Sequence, residues 1–138
     1  MDIWILNNRA KGILCMANGK LALQYAQSNY ANTEAVQHNG NGDAFRHALW
    51  NYGMAVDVGS SFARQWSNAH ENGTSNNPAL EKQMDLFNNG VGLYQYSLNS
   101  NPGSISKMIS IIKKRVDVGG CEIIRNGRIV NSDTVGKN

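Results

Sequence analysis

The sequence predicts a mainly α-helical fold, a compact bundle of about five helices with a short C-terminal β-hairpin. Apolar residues recur at intervals of three and four over most of the chain, and runs of Asn, Gly and Ser separate these periodic segments. Near the C-terminus, Asn126-Gly127 lies between two short β-prone segments, which is the pattern of a tight hairpin. The length of 138 residues, 41% of them hydrophobic, fits one domain spanning residues 1–138.

The first half of the chain predicts two helices. The first runs from about Ile3 to Tyr30, with a weak point at Asn18-Gly19 that could also divide it into two short helices. Residues 32–43 are rich in Asn and Gly and predict a loop. The second helix begins near Asp43, because a carboxylate there suits the positive end of the helix dipole.

The second half predicts three more helices. One begins at Ser60, and in the next Asn77 is expected to be the cap and Pro78 the first helical residue. The buried stripe of that helix is predicted to contain Leu80, Met84, Phe87, Val91, Tyr94 and Leu98. The last helix ends at Gly119-Gly120 and is followed by the hairpin, at residues 121–130.

Composition and charge narrow the classes of protein and of partner. A net charge of +3 and a pI near 9.0 favour an anionic partner, such as nucleic acid or another phosphate-bearing ligand. Cys15 and Cys121 match no metal or redox motif and predict free thiols in a reducing compartment, with a single disulfide as the alternative. The apolar run at residues 3–6 is too short for a signal peptide or membrane span. We therefore expect no membrane association and a cytoplasmic location, unless the chain is a domain of a longer secreted protein.

Three blocks between residues 43 and 92 contain polar side chains of types that form specific hydrogen bonds. A solvent-exposed helix face would normally carry Lys and Glu instead. An Asp and a His four residues apart lie on one helix face, so Asp43 and His47 can bind one ion or each other. Facing helices of a bundle are where metal and catalytic sites are built. The candidate residues in these blocks are Asp43, Arg46, His47, Trp50, His70, Glu71, Asp85, Asn88 and Asn89.

These residue types suit a divalent metal ion of unspecified identity that assists hydrolysis of a phosphate ester. Asp43 would orient His47, and Arg46 would bind phosphate through its planar guanidinium. Trp50, Asn88 and Asn89 would bind substrate with Arg46. The predicted metal ligands are His47, His70, Glu71 and Asp85, and the predicted catalytic residues are Asp43, Arg46, His47, His70 and Glu71.

Each of these residues also has a structural explanation. Asp43 can simply cap its helix, Arg46 can pair with Glu71 or Asp85, and Trp50 can fill the core. Asn88 and Asn89 are poor helix formers in the middle of a helix, which indicates a hydrogen-bonding task. Both explanations stay open from the sequence.

A resemblance supports the importance of the three blocks. DAFRHALW at 43–50, AHENG at 69–73 and MDLFNNGVG at 84–92 resemble, in this order, a bacterial domain family of unknown function with a DAxRHxxW, HE, MDxxNNxxG pattern. The resemblance covers roughly residues 20–95 and implies a mainly helical domain, often at the end of surface or toxin-like proteins, with no established reaction. Phe87 stands where a polar residue, commonly His, is frequent, so a role at that position is absent or altered here.

A weaker likeness in layout is to the HD-type phosphohydrolases, which are helical metal enzymes. His47, His70-Glu71 and Asp85 follow their ligand order, but with Glu in place of Asp and with shorter intervals. The sequence therefore favours a metal-assisted hydrolase of phosphate esters that processes nucleic acid. One alternative is a metal-free, toxin-like nuclease in which His47 and His70 act as general base and acid. The other is a non-catalytic helical module with a buried polar network.

Overall fold

The computed structural model describes residue 3, residues 8–73 and residues 78–138. In these residues the chain forms five long helices, a single-turn helix and a two-stranded antiparallel sheet, which confirms the predicted fold class. The elements are α1 (Arg9–Asn29), α2 (Glu34–Gln37), α3 (Asn41–Val58), α4 (Ser60–Gly73), α5 (Ala79–Leu98), α6 (Ile105–Asp117), β1 (Glu122–Arg125) and β2 (Arg128–Asn131). None of the helices formed by these residues is long and apolar enough to cross a membrane.

Helix α3 lies at the centre of the fold and is buried along most of its length. Helices α1, α4, α5 and α6 all pack against it. Its apolar side chains form much of the core, where the Phe45 and Tyr30 rings meet with their centroids 5.2 Å apart. Because other helices surround α3, its polar side chains are buried as well, and they must be satisfied by neighbouring elements.

Helix α1 is continuous across Asn18-Gly19, so the weak point does not divide it. Asn18 donates a hydrogen bond to Asp57 at 2.7 Å, and Gly19 packs closely against Trp50. The predicted loop at 32–43 contains the single-turn helix α2, and α3 begins two residues before Asp43. Both cysteines are free and buried, which agrees with the predicted free thiols.

Some predicted features fall outside the described residues or differ in detail. Residues 4–7 of the first predicted helix and the predicted cap Asn77 lie outside the described residues. Pro78 occupies the N-cap position of α5, and the helix itself begins at Ala79.

The predicted buried stripe of α5 is wrong at three positions. Phe87, Tyr94 and Leu98 are exposed to 46%, 59% and 64%. The buried residues of α5 are Met84, Asn88, Asn89, Gly92, Leu93 and Gln95. The reason is a close approach of two backbones, because a Cβ at Gly92 would collide with the carbonyl oxygen of Ala48 in α3. The helix therefore turns its glycine and its asparagines toward α3 and leaves these three side chains outside.

The C-terminal hairpin is confirmed, with Glu122 opposite Asn131 and Arg125 opposite Arg128. Asn126 and Gly127 both have positive φ, as a two-residue turn of this kind requires. The side chain of Asn88 accepts from the backbone N–H of Glu122 and donates to its carbonyl, both at 2.8 Å. This pair of hydrogen bonds ties the hairpin to α5.

Candidate metal centre

Asp43 and His47, one turn apart near the start of α3, form one side of a buried polar cluster. The His47 Nε2 atom lies 3.5 Å from Asp43 Oδ1. The other oxygen of Asp43 accepts a hydrogen bond from the backbone N–H of Asn39 at 2.8 Å. Arg46 Nη2 donates to Asp43 Oδ1 at 2.7 Å. The Asp43 carboxylate is therefore fixed in orientation, and one of its oxygens is turned toward the imidazole.

Helix α5 brings a second carboxylate to the same imidazole nitrogen. Asp85 Oδ1 lies 3.3 Å from His47 Nε2, and ligand atoms of Asp43, His47 and Asp85 all lie within 4.8 Å of one another. Two ligands bound at about 2.0–2.1 Å to one tetrahedral ion are about 3.4 Å apart. The two measured separations agree with that value. Glu71, from α4, approaches the other side of the ring, with Oε1 3.8 Å from Nδ1.

Asn89 determines which nitrogen of His47 presents its lone pair to the carboxylates and to Arg46. Its Oδ1 lies 3.0 Å from His47 Nδ1 and also accepts from Asn51 Nδ2 at 3.0 Å. Because this oxygen accepts, Nδ1 of the neutral imidazole carries the proton. The Nε2 lone pair then points toward the oxygens of Asp43 and Asp85, which is the arrangement of a metal-ligating histidine with an outer hydrogen-bond partner.

The cluster carries more negative than positive charge. Asp43, Glu71 and Asp85 bring three negative charges and Arg46 brings one positive charge, which leaves a formal charge of −2 when all are ionised. Burial, followed by the charges of Asp43 and Glu71, raises the pKa of Asp85 to about 8. Burial lowers the pKa of His47. Without a metal ion, the cluster thus holds a proton on Asp85 at neutral pH and keeps His47 neutral.

Two of the four predicted metal ligands, His70 and Glu71, are not in this group of candidate ligand atoms, which contains Asp43 instead. His70 is exposed and lies beyond Trp50, whose ring centroid is 5.3 Å from that of His70 and 6.3 Å from that of His47. Asn88 faces the hairpin and uses its amide on Glu122, so it does not reach the cluster.

Three more residues lie around the cluster and help to hold it in place. Trp50 was predicted to bind substrate or to fill the core, whereas Asn39 and Asn51 were not among the candidates. Trp50 donates its indole N–H to the carbonyl of Cys15 at 3.0 Å, which fixes the ring as a wall beside the cluster. The backbone N–H of Asn39 donates to Asp43, and the Asn51 amide donates to Asn89. Asn51 lies four residues after His47 and therefore on the same helix face, which could have indicated its part in the cluster from the sequence. Such supporting residues commonly tune a metal site.

A family model described as Domain of unknown function (DUF6973) matches residues 2–119. The chain belongs to this family. The predicted membership in a domain family of unknown function is thereby confirmed. The DUF6973 match contains every residue of the cluster and ends just before the hairpin strand that begins at Glu122. No curated protein and no solved structure matches the chain.

Proposed function

We propose that this protein binds a divalent metal ion through Asp43, His47 and Asp85 and uses it to hydrolyse phosphate esters. The observation that carries the proposal is the position of His47 Nε2, which lies 3.5 Å and 3.3 Å from two carboxylate oxygens. Its other nitrogen is held by Asn89. Arg46 brings one charged N–H to Nε2, and a divalent ion between Nε2 and the two carboxylates would balance the negative charge that the cluster carries when ionised.

The donor set fits a divalent ion in charge and in chemistry. A charge of +2 neutralises the formal charge of −2 of the ionised cluster. One imidazole nitrogen and carboxylate oxygens suit Zn²⁺, Mn²⁺ or Fe²⁺. When bound, such an ion polarises a phosphoryl oxygen and makes a water molecule more acidic.

The protein's own residues would position the substrate and move the proton. Arg46 uses one Nη on Asp43, and its side chain is 35% exposed, so further N–H donors can bind phosphate oxygens. Glu71 lies beside Asp85, with which it shares a hydrogen bond, and it is not one of the three proposed ligands. Its carboxylate would therefore not be bound to the ion and could accept a proton from the attacking water.

The non-catalytic alternative has one specific observation in its favour. Arg46 Nη2 lies 2.7 Å from Asp43 Oδ1 and 3.3 Å from His47 Nε2, so the cluster already contains one cationic group. One positive charge does not balance the three carboxylates when all are ionised, whereas Arg46 and a divalent ion together would. The metal-free nuclease receives less support, because Trp50 contacts both imidazoles and His70 is exposed whereas His47 is buried.

The test combines metal binding with turnover. Metal-stripped protein is titrated with Mn²⁺ and Zn²⁺ by calorimetry, and p-nitrophenyl phosphate and bis(p-nitrophenyl) phosphate are assayed with and without the ion. We expect one ion per chain and metal-dependent hydrolysis, with binding weakened at least about tenfold in His47→Gln.

His38→Gln is the matched control, because His38 also lies near two carboxylates, at 3.2 Å from Glu34 and 3.6 Å from Glu81, but its side chain is 54% exposed. It should bind metal like the wild type. The proposal is wrong if the protein binds neither ion, or if the two histidine variants lose binding equally.

A further inference from the structure

A small cavity lies beside the cluster. Its volume is about 140 Å³, and it is lined by Gly19 of α1, Arg46 and Trp50 of α3, and His70 of α4. Arg46 belongs to both places, because the guanidinium that lines the cavity also bonds Asp43 and lies 3.3 Å from His47 Nε2. A group held by Arg46 in this cavity would therefore adjoin the candidate metal ligands.

The walls of the cavity suit an anion of limited size. Arg46 supplies charged N–H donors, whereas the indole N–H of Trp50 is already used on Cys15. A Cβ added at Gly19 would lie only 3.2 Å from Trp50 Nε1, so the missing side chain at position 19 keeps the space beside the indole open. Sites for drug-sized ligands measure about 300–1,000 Å³, and this cavity is well below that range.

We propose that this cavity, named the Arg46 cavity, is a subsite for a terminal phosphate group, and that the substrates are small phosphomonoesters. The inference rests on the proposed function and narrows its substrate class. A terminal phosphate can enter a small cavity with its single ester link pointing out. A phosphodiester inside a nucleic-acid strand carries a second ester chain, and a cavity of about 140 Å³ has little room for that chain beside the phosphate.

The reaction itself is a simple hydrolysis. The oxygen of water bonds to phosphorus, the bond between phosphorus and the ester oxygen breaks, and the leaving alcohol takes up a proton. The products are the alcohol and inorganic phosphate. Arg46 would hold the phosphoryl oxygens through this step, because its planar fork matches their spacing.

The first experiment uses the wild-type protein loaded with Mn²⁺ and compares p-nitrophenyl phosphate with bis(p-nitrophenyl) phosphate. We expect kcat/KM to be at least about tenfold higher for the monoester. A second measurement needs no turnover, because calorimetry gives the affinity for inorganic phosphate and for dimethyl phosphate. Phosphate should bind at least about tenfold more tightly, since it places more charged oxygens on Arg46.

The second experiment fills the cavity with Gly19→Val and uses Gly90→Val as its matched control. Both glycines lie inside long helices, but a Cβ at Gly90 meets no atom within 4 Å. We expect Gly19→Val to weaken phosphate binding at least about tenfold at unchanged metal affinity, and Gly90→Val to behave like the wild type. Melting curves check that both variants fold. If Gly19→Val does not fold, the comparison of monoester and diester with the wild-type protein decides the inference.

The outcomes separate this inference from the proposed function. Efficient hydrolysis of the diester, or phosphate binding that Gly19→Val leaves intact, would overturn the Arg46 cavity as a monoester subsite while metal-assisted hydrolysis stands. If neither ester is hydrolysed but Gly19→Val abolishes phosphate binding, the proposed function fails and the cavity still binds a terminal phosphate.

Discussion

Replacing Asp85 with Asn should have opposite effects on folding and on metal binding. The amide keeps the shape of the side chain but removes a carboxyl group that lies 3.3 Å from His47 Nε2 and close to Asp43 and Glu71. Without metal, the loss of a charge that the cluster repels should stabilise the protein above neutral pH. With metal, the loss of a ligand should weaken binding.

The pH dependence of stability follows from two pKa shifts. The pKa of Asp85 is raised to about 8 in the folded protein, against about 4 for an unfolded aspartate. Its favourable contribution is fully present below about pH 4 and is lost as the pH rises to about 8. Burial lowers the pKa of His47 from 6.5, so its contribution is present above pH 6.5 and is lost as the pH falls. The two trends oppose each other, and between pH 6.5 and 8 the contribution of Asp85 changes more than that of His47.

The expected change in the free energy of unfolding comes from the proton on Asp85, which the folded state binds and the unfolded state does not. Each pH unit changes the free energy of unfolding by about 1.4 kcal/mol when the folded state holds one proton more than the unfolded state. At pH 8 Asp85 of the folded state is already half deprotonated, and at pH 6.5 the unfolded His47 is still half protonated, so both reduce the change. From pH 6.5 to 8 the metal-free wild type should therefore lose roughly 1 kcal/mol or slightly more. The Asp85 side chain is only 15% exposed, so solvent screens little of this effect. Asp85→Asn should lose almost nothing across the same window.

Urea unfolding of metal-stripped protein at pH 6.5, 7 and 8 measures these free energies. Glu34→Gln is the matched control, because the side chain of Glu34 is 90% exposed, and its slope should equal that of the wild type. A wild type whose stability does not change in this window would refute the reasoning. So would an Asp85→Asn protein that is less stable than the wild type at pH 8 without metal.

Three further predictions concern the supports of the cluster and the thiols. Gly92→Ala should cost at least about 2 kcal/mol of stability, because the added Cβ would collide with a carbonyl oxygen of α3; an unchanged melting temperature would contradict this. Asn89→Ala should weaken metal binding about 10- to 100-fold in calorimetry, since it removes the acceptor for His47 Nδ1, and an unchanged affinity would count against that role. Cys15 and Cys121 should resist a thiol reagent at pH 8 until the protein is unfolded, because burial raises their pKa to about 11 and about 12. Rapid labelling of the native protein would disprove this last expectation.

Features that depend on short stretches of chain could be predicted from the sequence. The helical periodicity, the hairpin turn at Asn126-Gly127 and the shared face of Asp43 and His47 all depend on residues within a few positions of one another. Two residues of α5 were also selected from the sequence, Asp85 as a metal ligand and Asn89 because an asparagine in the middle of a helix indicates a hydrogen-bonding task. Contacts of both side chains with His47 agree with that reasoning.

Features that depend on how helices meet could not be predicted. Apolar periodicity placed Phe87 and Tyr94 inside, but the approach of Gly92 to α3 rotates α5 and exposes them. The position of His70 depends on the rotation of α4 and on the Trp50 ring between the two histidines. Tertiary packing determines which face of each helix is buried, and the periodicity of one helix does not show how it packs against the others.

The contact between Gly92 and Ala48 has a consequence for the choice of ion. Gly92 lies seven residues, or about 10 Å along the helix axis, from Asp85, and Ala48 directly follows His47. This main-chain contact thus sets how closely α5 and α3 approach beside the carboxylate and the imidazole. Calcium needs longer bonds and more ligands than zinc or manganese. If Asp43, His47 and Asp85 bind an ion as proposed, the short distance between the helices would favour the smaller ions.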